Sequence, residues 1–198
     1  MLFNSLTFIQ FFAVVLVLHH LPFSWRLKKF NLLIASYLFY AAWNPPFVIL
    51  IWISTLVDWF VVKGLARLQA SGGEGSDAGQ SRLRSFCAPL GSAAHLRRLL
   101  LLTSLGCNLG LLGFFKYGGF LLENFTALLG AFGIQYQAAA PDIVLPVGIS
   151  FYTFQTLSYT LDVYRGVARP WKSFLDFALF VTFFPQLVAG PIVRAADF

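Results

Sequence analysis

The chain has 198 residues, of which 58% are hydrophobic and 11% are charged, and its mean hydropathy is +0.74. Because an average soluble domain carries about 25% charged residues, this composition excludes an ordinary water-soluble domain and predicts a protein dissolved in a lipid bilayer. The net charge of +6 does not indicate a nucleic-acid partner, since the basic residues lie at the ends of apolar segments, where they set topology and contact anionic lipids.

The first predicted helix covers residues 6–21 and ends at Pro22. No basic region or small-residue cleavage site accompanies it, so we expect a retained membrane span and not a removable signal peptide. Arg26, Lys28 and Lys29 follow the segment. Because cytoplasmic loops are enriched in basic residues, this predicts that the N-terminus lies outside and that the first helix ends in the cytoplasm.

Two more apolar segments follow, at residues 30–43 and 47–65. Pro45 and Pro46 lie between them, and proline removes an amide donor and disfavours a helical residue before it. A tight external turn between two helices is therefore predicted. Residues 68–96 are polar and glycine-rich and are flanked by basic residues, which predicts a flexible cytoplasmic loop.

The second half of the chain contains apolar segments at residues 99–115, 144–164 and 174–191, and a weaker one at 118–133. If the weaker segment crosses fully, the basic residues divide ten against four between the cytoplasm and the outside. If it only dips into the membrane, they divide twelve against two, which fits the positive-inside rule better. We therefore predict an all-α, polytopic membrane protein with about six full transmembrane helices and one partial or interfacial helix.

Several polar residues occur at depths where hydrocarbon penalises them, because an ionisable side chain inside a span costs roughly 2.5 kcal/mol or more. The alternative is that each lies near a helix end or bonds a neighbouring helix; for Asp162, that alternative is an ion pair with Arg165. The candidates are Asp58, Asn108, Gln155, Asp162 and Gln186.

The histidines and cysteines do not predict catalysis or metal binding. His19 and His20 lie beside a helix end, and His95 lies in the predicted loop, so none has a convincing acidic or nucleophilic companion. Cys87 and Cys107 indicate neither a disulfide framework nor a metal site. Zinc-protease, phosphate-loop, dinucleotide and serine-nucleophile motifs are all missing from the sequence.

Two stretches combine helix breakers with polar residues. Residues 145–166 read LPVGISFYTFQTLSYTLDVYRG, and residues 183–192 read FFPQLVAGPI. Membrane helices tolerate such prolines and glycines where neighbours satisfy the freed backbone groups or where a cavity replaces lipid. These stretches therefore indicate the walls of a site.

Both stretches resemble the membrane-bound O-acyltransferase family, in particular its bacterial branch that acts in alginate O-acetylation. The opening MLFNS, the segment SYLFYAAW at 36–43 and FFKY at 114–117 resemble the same branch. The resemblance implies that residues 1–198 form the N-terminal part of one membrane domain, a ring of helices around a buried tunnel in the bacterial inner membrane. It also implies acyl transfer from a cytoplasmic donor to an acceptor on the outer side.

In that branch the acyl group is acetyl, and a periplasmic acetyltransferase-type partner completes the O-acetylation of the exopolysaccharide. The implied donor is acetyl-CoA or another activated acyl carrier, with no bound cofactor and no metal. A similar architecture serves D-alanine transfer, so fold similarity does not fix the acyl group.

The resemblance also implies where the catalytic histidine of the family lies. It belongs to a later membrane segment, downstream of Phe198, and His19, His20 and His95 do not match its motif. We therefore expect these 198 residues to be a fragment of a longer enzyme, without a catalytic residue of their own, and to be inactive alone.

The residues expected to line the tunnel or the site are Gln155, Asp162, Gln186, Pro191 and Arg194. For Arg194, attraction of an anionic group and simple extension of the side chain to the membrane surface are both open. Two other functions are also open. Polar groups and broken helices also mark transporters, which leaves a transporter or polymer-export subunit, and a non-catalytic assembly subunit is the second alternative.

Overall fold

The computed structural model describes residues 5–71, 92–134 and 144–190, and the regular structure in these ranges is entirely helical. All seven helices are rich in apolar residues. In chain order they are α1 (Leu6–His20), α2 (Trp25–Ala41), α3 (Phe47–Ser71), α4 (Ser92–Ala131), α5 (Ile149–Tyr164), α6 (Phe174–Thr182) and α7 (Phe184–Ala189).

The start of α1 and the turn between α2 and α3 follow from the local sequence. The Ser5 hydroxyl accepts a hydrogen bond from the Phe8 amide at 3.2 Å and so caps α1. At the predicted proline turn, the Phe47 amide donates to the Asn44 carbonyl at 3.1 Å and starts α3. The turn therefore lies where the two prolines place it.

Three helix bounds differ from the sequence prediction. Helix α2 begins at Trp25 and not at residue 30, because the basic residues occupy its first turns and do not form a loop. Helix α3 continues to Ser71 and α4 begins at Ser92. Both ends of the predicted loop at residues 68–96 are thus helical, and its centre, 72–91, lies outside the described residues.

The predicted separate segment at residues 118–133 is wrong. Helix α4 runs unbroken for 40 residues, and most of this segment is its C-terminal part. Gly118 and Gly119 do not interrupt it, because a glycine inside a helix costs only about 1 kcal/mol. One long helix therefore replaces the two predicted helices, and the number of full membrane crossings stays a prediction.

Helices α3, α4 and α5 pack together and form the centre of the bundle with α6. Ile51, Tyr159 and Phe180 are among the fully buried side chains of this core. Large apolar side chains also cover the outside, such as Phe60 and Leu102, as expected where lipid is the solvent. Among the described helices, two are long and apolar enough to cross a bilayer, within Phe47–Gln69 and Ala93–Ala131.

One end of the bundle collects most of the positive charge. The C-terminal end of α5 lies against α3 and α4, since Gln69 donates to the Val163 carbonyl at 2.9 Å and Arg97 donates to the Tyr164 carbonyl at 3.0 Å. The start of α2 joins this end through the 2.7 Å ion pair of Lys29 with Asp176.

We call this part of the molecule the basic end. The loop at residues 165–172 lies there with the ends of α3 and α4, as the favoured charge count requires; which side of the membrane it faces stays a prediction. Its ten described basic residues are Arg26, Lys28, Lys29, Lys63, Arg67, Arg97, Arg98, Arg165, Arg169 and Lys172.

Candidate functional site

Five buried polar side chains meet where α3, α4 and α5 pack together. Helix α3 and helix α4 each contribute a pair spaced four residues apart, which places both members on one helix face; α5 contributes a threonine. Each of the five is at most 1% exposed. We call this set the junction network; its members are Ser54, Asp58, Ser104, Asn108 and Thr156.

The carboxylate of Asp58 is the centre of the junction network. The Asn108 amide donates to both of its oxygens, at 3.0 and 2.9 Å, and Ser104 donates a third hydrogen bond to Oδ1. The Asn108 amide oxygen accepts hydrogen bonds from Ser54 and, at 3.5 Å, from Thr156. Every polar atom of the Asp58 side chain therefore has a partner from the facing helix.

The junction network is suited to holding helices together and not to chemistry on a substrate. A polar group inside apolar surroundings is tolerated when it is hydrogen-bonded, and here the partners are other helices. In the described ranges the single ion pair is the one between Lys29 and Asp176, and neither residue belongs to this network. No group of three or more histidine, cysteine or acidic side chains in the described ranges could hold a metal ion.

A second polar feature is the break between α6 and α7. Helix α6 ends at Thr182, and Phe183 leaves the helical conformation with φ −55° and ψ 110°. Pro185 lies at the start of α7, where its missing amide hydrogen is tolerated. The chain therefore changes direction inside an apolar segment that was predicted as one span.

Side chains from two other helices satisfy the backbone groups freed by this break. Gln155 on α5 donates to the Phe180 carbonyl at 2.7 Å. The Phe184 amide donates to the Ser36 hydroxyl of α2 at 3.2 Å. An unsatisfied backbone group in hydrocarbon would cost several kcal/mol, so these two contacts explain how the break persists.

The two motif stretches touch each other at the start of α5. Gly148 has a φ of +76°, and a Cβ placed on it would lie 2.9 Å from the Leu187 carbonyl oxygen. Glycine is required there by both its backbone conformation and this close approach. The Tyr40 hydroxyl donates to the adjacent Val147 carbonyl at 2.7 Å. The stretches at 145–166 and 183–192 thus build one contact between α5 and α7.

The structure brings together only some of the predicted site residues. Gln155 is buried beside α6, and Gln186 is half-buried on α7, so both lie around the helix break. Asp162 lies seven residues further along α5, about 10 Å away. The two glutamines therefore lie at the helix break, and the aspartate does not.

The last predicted site residues, Pro191 and Arg194, lie outside the described residues. Their role in lining the tunnel stays a prediction. Phe198, beyond which the catalytic histidine of the family is expected, also lies outside the described residues. The expectation that the histidine follows Phe198, and that these 198 residues lack a catalytic residue, therefore stays a prediction too.

The contacts of Asp162 differ from the ion pair with Arg165 that was considered as its alternative role. Its backbone carbonyl accepts hydrogen bonds from the Val167 and Ala168 amides at 2.8 and 3.2 Å and so ends α5. Its half-buried side chain forms no ion pair with Arg165 in the part of the chain that the structure describes. The site-lining role of Asp162 stays a prediction.

The histidines lie apart from both polar features. His20 Nδ1 is 2.8 Å from the Leu16 carbonyl within α1. The rings of His19 and His20 are 6.2 Å apart at the end of that helix, and His95 is exposed near the start of α4. None of them faces the junction network.

Sequence reasoning identified Asp58 and Asn108 but missed their hydroxyl partners. The spacing itself was a usable signal, because Ser54 precedes Asp58 by four residues and Ser104 precedes Asn108 by four. Ser36, which satisfies the Phe184 amide, had no such signal, since its partner lies 148 residues away.

A bundle of apolar helices, with buried polar groups satisfied at helix contacts, is a helical membrane protein. The chain is 35% identical over all 198 residues to the probable alginate O-acetylase AlgI of Pseudomonas putida, of which it covers 36%. It is likewise 35% identical over its whole length to that of Azotobacter vinelandii, covering 35%. The peptidoglycan O-acetyltransferase of Helicobacter pylori is 30% identical over 193 residues, with 85% of this chain and 31% of the relative covered.

The chain therefore belongs to the membrane-bound O-acyltransferase family. This confirms the resemblance seen in the sequence. The chain spans about a third of the length of the curated relatives it matches. No protein-family profile matches it, and no solved structure does.

Proposed function

We propose that this chain is part of a membrane O-acetyltransferase that modifies a cell-surface polysaccharide. The observation that carries the proposal is the similarity along all 198 residues to relatives named as alginate O-acetylases. A further relative is named for O-acetyl transfer to peptidoglycan. O-acetyl transfer is common to both names while the polymer differs, so the reaction class is better supported than alginate as the acceptor.

The basic end supports an anionic acyl donor. It carries ten described basic residues, and clustered charge of one sign raises the local concentration of an oppositely charged substrate. Acetyl-CoA or another phosphorylated acyl carrier would meet this surface first. We place the basic end in the cytoplasm, the N-terminus outside and the chain in a bacterial inner membrane, because basic loops stay on the cytoplasmic side.

The region around Gln155 and Gln186 is the proposed wall of the acyl path, with Pro191 and Arg194 following it in sequence. Asp162 extends the same wall towards the basic end. None of the three histidines has a carboxylate or hydroxyl companion in the described ranges, so we place the general base outside them. The 198-residue polypeptide alone is then expected not to transfer acetyl groups from acetyl-CoA to an added polysaccharide.

Deletion of the gene tests the proposal directly. Ester-linked acetate is measured in the isolated cell-surface polysaccharide, together with the amount of polymer exported. Loss of acetate with unchanged export supports acetyl transfer, which in the proposed route a periplasmic acetyltransferase-type partner completes. Restoration of the acetate by the wild-type gene is the control.

The helix break between α6 and α7 favours one competing function. Broken helices at membrane depth also form substrate paths in transporters. In that case deletion would lower the amount of exported polymer while its acetate content per sugar stayed constant. A non-catalytic assembly role predicts instead that substitutions of Asp162 and Gln186 leave acetylation unchanged.

A further inference from the structure

A small cleft between α1 and α2 collects three polar groups near the basic end. It is lined by His19 from the last turn of α1 and by Lys28 and Asn31 from α2. Its remaining walls are four aliphatic side chains, among them Val15 and Leu32. Three polar side chains and four aliphatic ones therefore line the same cleft.

The three polar groups have no partner in the described part of the chain. The buried Nδ1 atom of His19 makes no hydrogen bond, whereas the same atom of the neighbouring His20 lies 2.8 Å from a carbonyl oxygen. Lys28 makes no ion pair, because the one ion pair in the described ranges uses Lys29. The Asn31 side chain has no hydrogen bond either. Unpaired polar groups that converge on one cleft indicate a ligand.

The position of the cleft corresponds to the depth of lipid headgroups. Trp25 is 63% exposed and its ring lies 6.3 Å from that of His19. Exposed tryptophans favour the membrane interface, so the cleft lies where α1 leaves the hydrocarbon. Basic pockets between membrane helices at such positions bind the headgroups of anionic lipids.

The size of the cleft limits what can enter it. The space within the cleft is about 20 Å³, which is room for roughly one water-sized group. A single anionic oxygen fits, and the rest of the ligand must stay outside along the helices. A free inorganic anion would make no contact with the aliphatic wall formed by Val15 and Leu32. The acyl chain of a lipid can pack against this wall.

We propose that this cleft binds an anionic phospholipid. One phosphate oxygen enters among His19, Lys28 and Asn31, and an acyl chain lies along the aliphatic wall. Because two opposite unit charges about 4 Å apart attract by about 1 kcal/mol even in bulk water, the charge of Lys28 favours an anionic over a neutral headgroup about fivefold. The inference does not depend on acetyl transfer.

Lipid retention by the purified protein tests the proposal. The protein in detergent is titrated with phosphatidylglycerol or phosphatidylcholine, and bound lipid is counted by native mass spectrometry. Lys28→Gln is expected to lower phosphatidylglycerol retention about fivefold. Arg26→Gln removes the same charge outside the cleft and is the matched control, with a change of less than about twofold. Asn31→Ala, which keeps every charge, is expected to lower retention as well.

Three results would overturn the proposal. Equal losses in Lys28→Gln and Arg26→Gln would mean that only the general positive surface attracts lipid. Equal retention of phosphatidylcholine by the wild-type protein would remove the role of the headgroup charge. Displacement of the lipid by millimolar inorganic phosphate would identify a simple anion site. Circular dichroism of each variant separates these results from unfolding.

Discussion

At the junction of α3, α4 and α5, polar side chains bond mainly to one another, whereas at the break between α6 and α7 they bond to backbone groups. In the first region the Asn108 amide donates hydrogen bonds to the Asp58 carboxylate. Gln155 and Ser36 satisfy the Phe180 carbonyl and the Phe184 amide in the second. Side chains that bond each other can be replaced together, but a backbone group remains whatever the sequence. The two regions should therefore respond differently to mutation.

The largest expected effect is that of Asn108→Leu. The substitution removes two donors from the Asp58 carboxylate and the acceptor of the Ser54 hydroxyl. Because buried groups left unsatisfied cost about 1–3 kcal/mol each, we expect the free energy of unfolding to fall by about 3 kcal/mol. Unfolding in mixed detergent and SDS micelles measures it.

The matched control is the triple variant Ser54→Ala, Asp58→Leu, Asn108→Leu, which removes the partners together. It should lose less stability than Asn108→Leu alone, since fewer polar groups stay unpaired. An equal or larger loss of stability in the triple variant would contradict the view that the polar side chains of the junction network can be replaced together.

The contact between α5 and α7 gives the second effect. Gly148→Ala places a Cβ 2.9 Å from the Leu187 carbonyl oxygen in a residue with positive φ. Gly166 has a φ of +74°, and no atom lies within 4 Å of the position of an added Cβ. Gly166→Ala therefore measures only the cost of the positive φ, about 1–2 kcal/mol. Gly148→Ala should lower the unfolding free energy by about 1 kcal/mol more, through overpacking. Equal effects would show that α7 moves aside freely.

Smaller effects are expected at the helix break. Gln155→Leu leaves the Phe180 carbonyl without its donor, and Ser36→Ala leaves the Phe184 amide without its acceptor. Each should lower the unfolding free energy by about 1–2 kcal/mol. Because the two contacts satisfy separate backbone groups, the double variant should equal the sum within about 0.5 kcal/mol. Strong non-additivity would mean that the two contacts at the break depend on each other, as the contacts of the junction network do.

The ion pair between Lys29 and Asp176 should have the smallest effect. Its side chains are 26% and 36% exposed, so solvent screens the attraction and the pair contributes about 0.2–1 kcal/mol. Lys29→Gln should therefore lower the melting temperature only slightly, and the difference should shrink in high salt. A salt-independent loss would point to lost packing of the Lys29 stem beside Trp25.

Long apolar segments were predictable from the sequence, and their ends were not. Hydropathy located α1 and the first part of α3 correctly, because each is a continuous apolar run with proline at its boundary. It misjudged α2, whose basic first turns are helical. It also divided α4 between residues 115 and 118, whereas the helix continues through Gly118 and Gly119, because the intact hydrogen-bond ladder outweighs their low helix propensity.

The polar contacts were predictable only in part. A lone Asp58 or Asn108 in an apolar helix indicates a polar partner, but the partner's identity depends on helix register across three elements. Gln155 was expected to line a site, and the structure shows it bonded to the Phe180 backbone. The sequence marked the stretch with Pro185 as one with helix breakers, but it could not show that Ser36 on a distant helix satisfies the Phe184 amide.

The length of helix α4 limits how much of it can lie within the bilayer. Its 40 residues correspond to about 60 Å, twice the roughly 30 Å of bilayer hydrocarbon. Keeping all of it in hydrocarbon would need a tilt of about 60°, beyond the range of about 0–40° in membrane helices. The part after Lys116, with its exposed Phe120, should therefore stand about 22 Å clear as a rigid lever. A 10° change in tilt about the point where the helix leaves the membrane would then move its tip by about 4 Å, which links bilayer thickness to the position of residues outside the membrane.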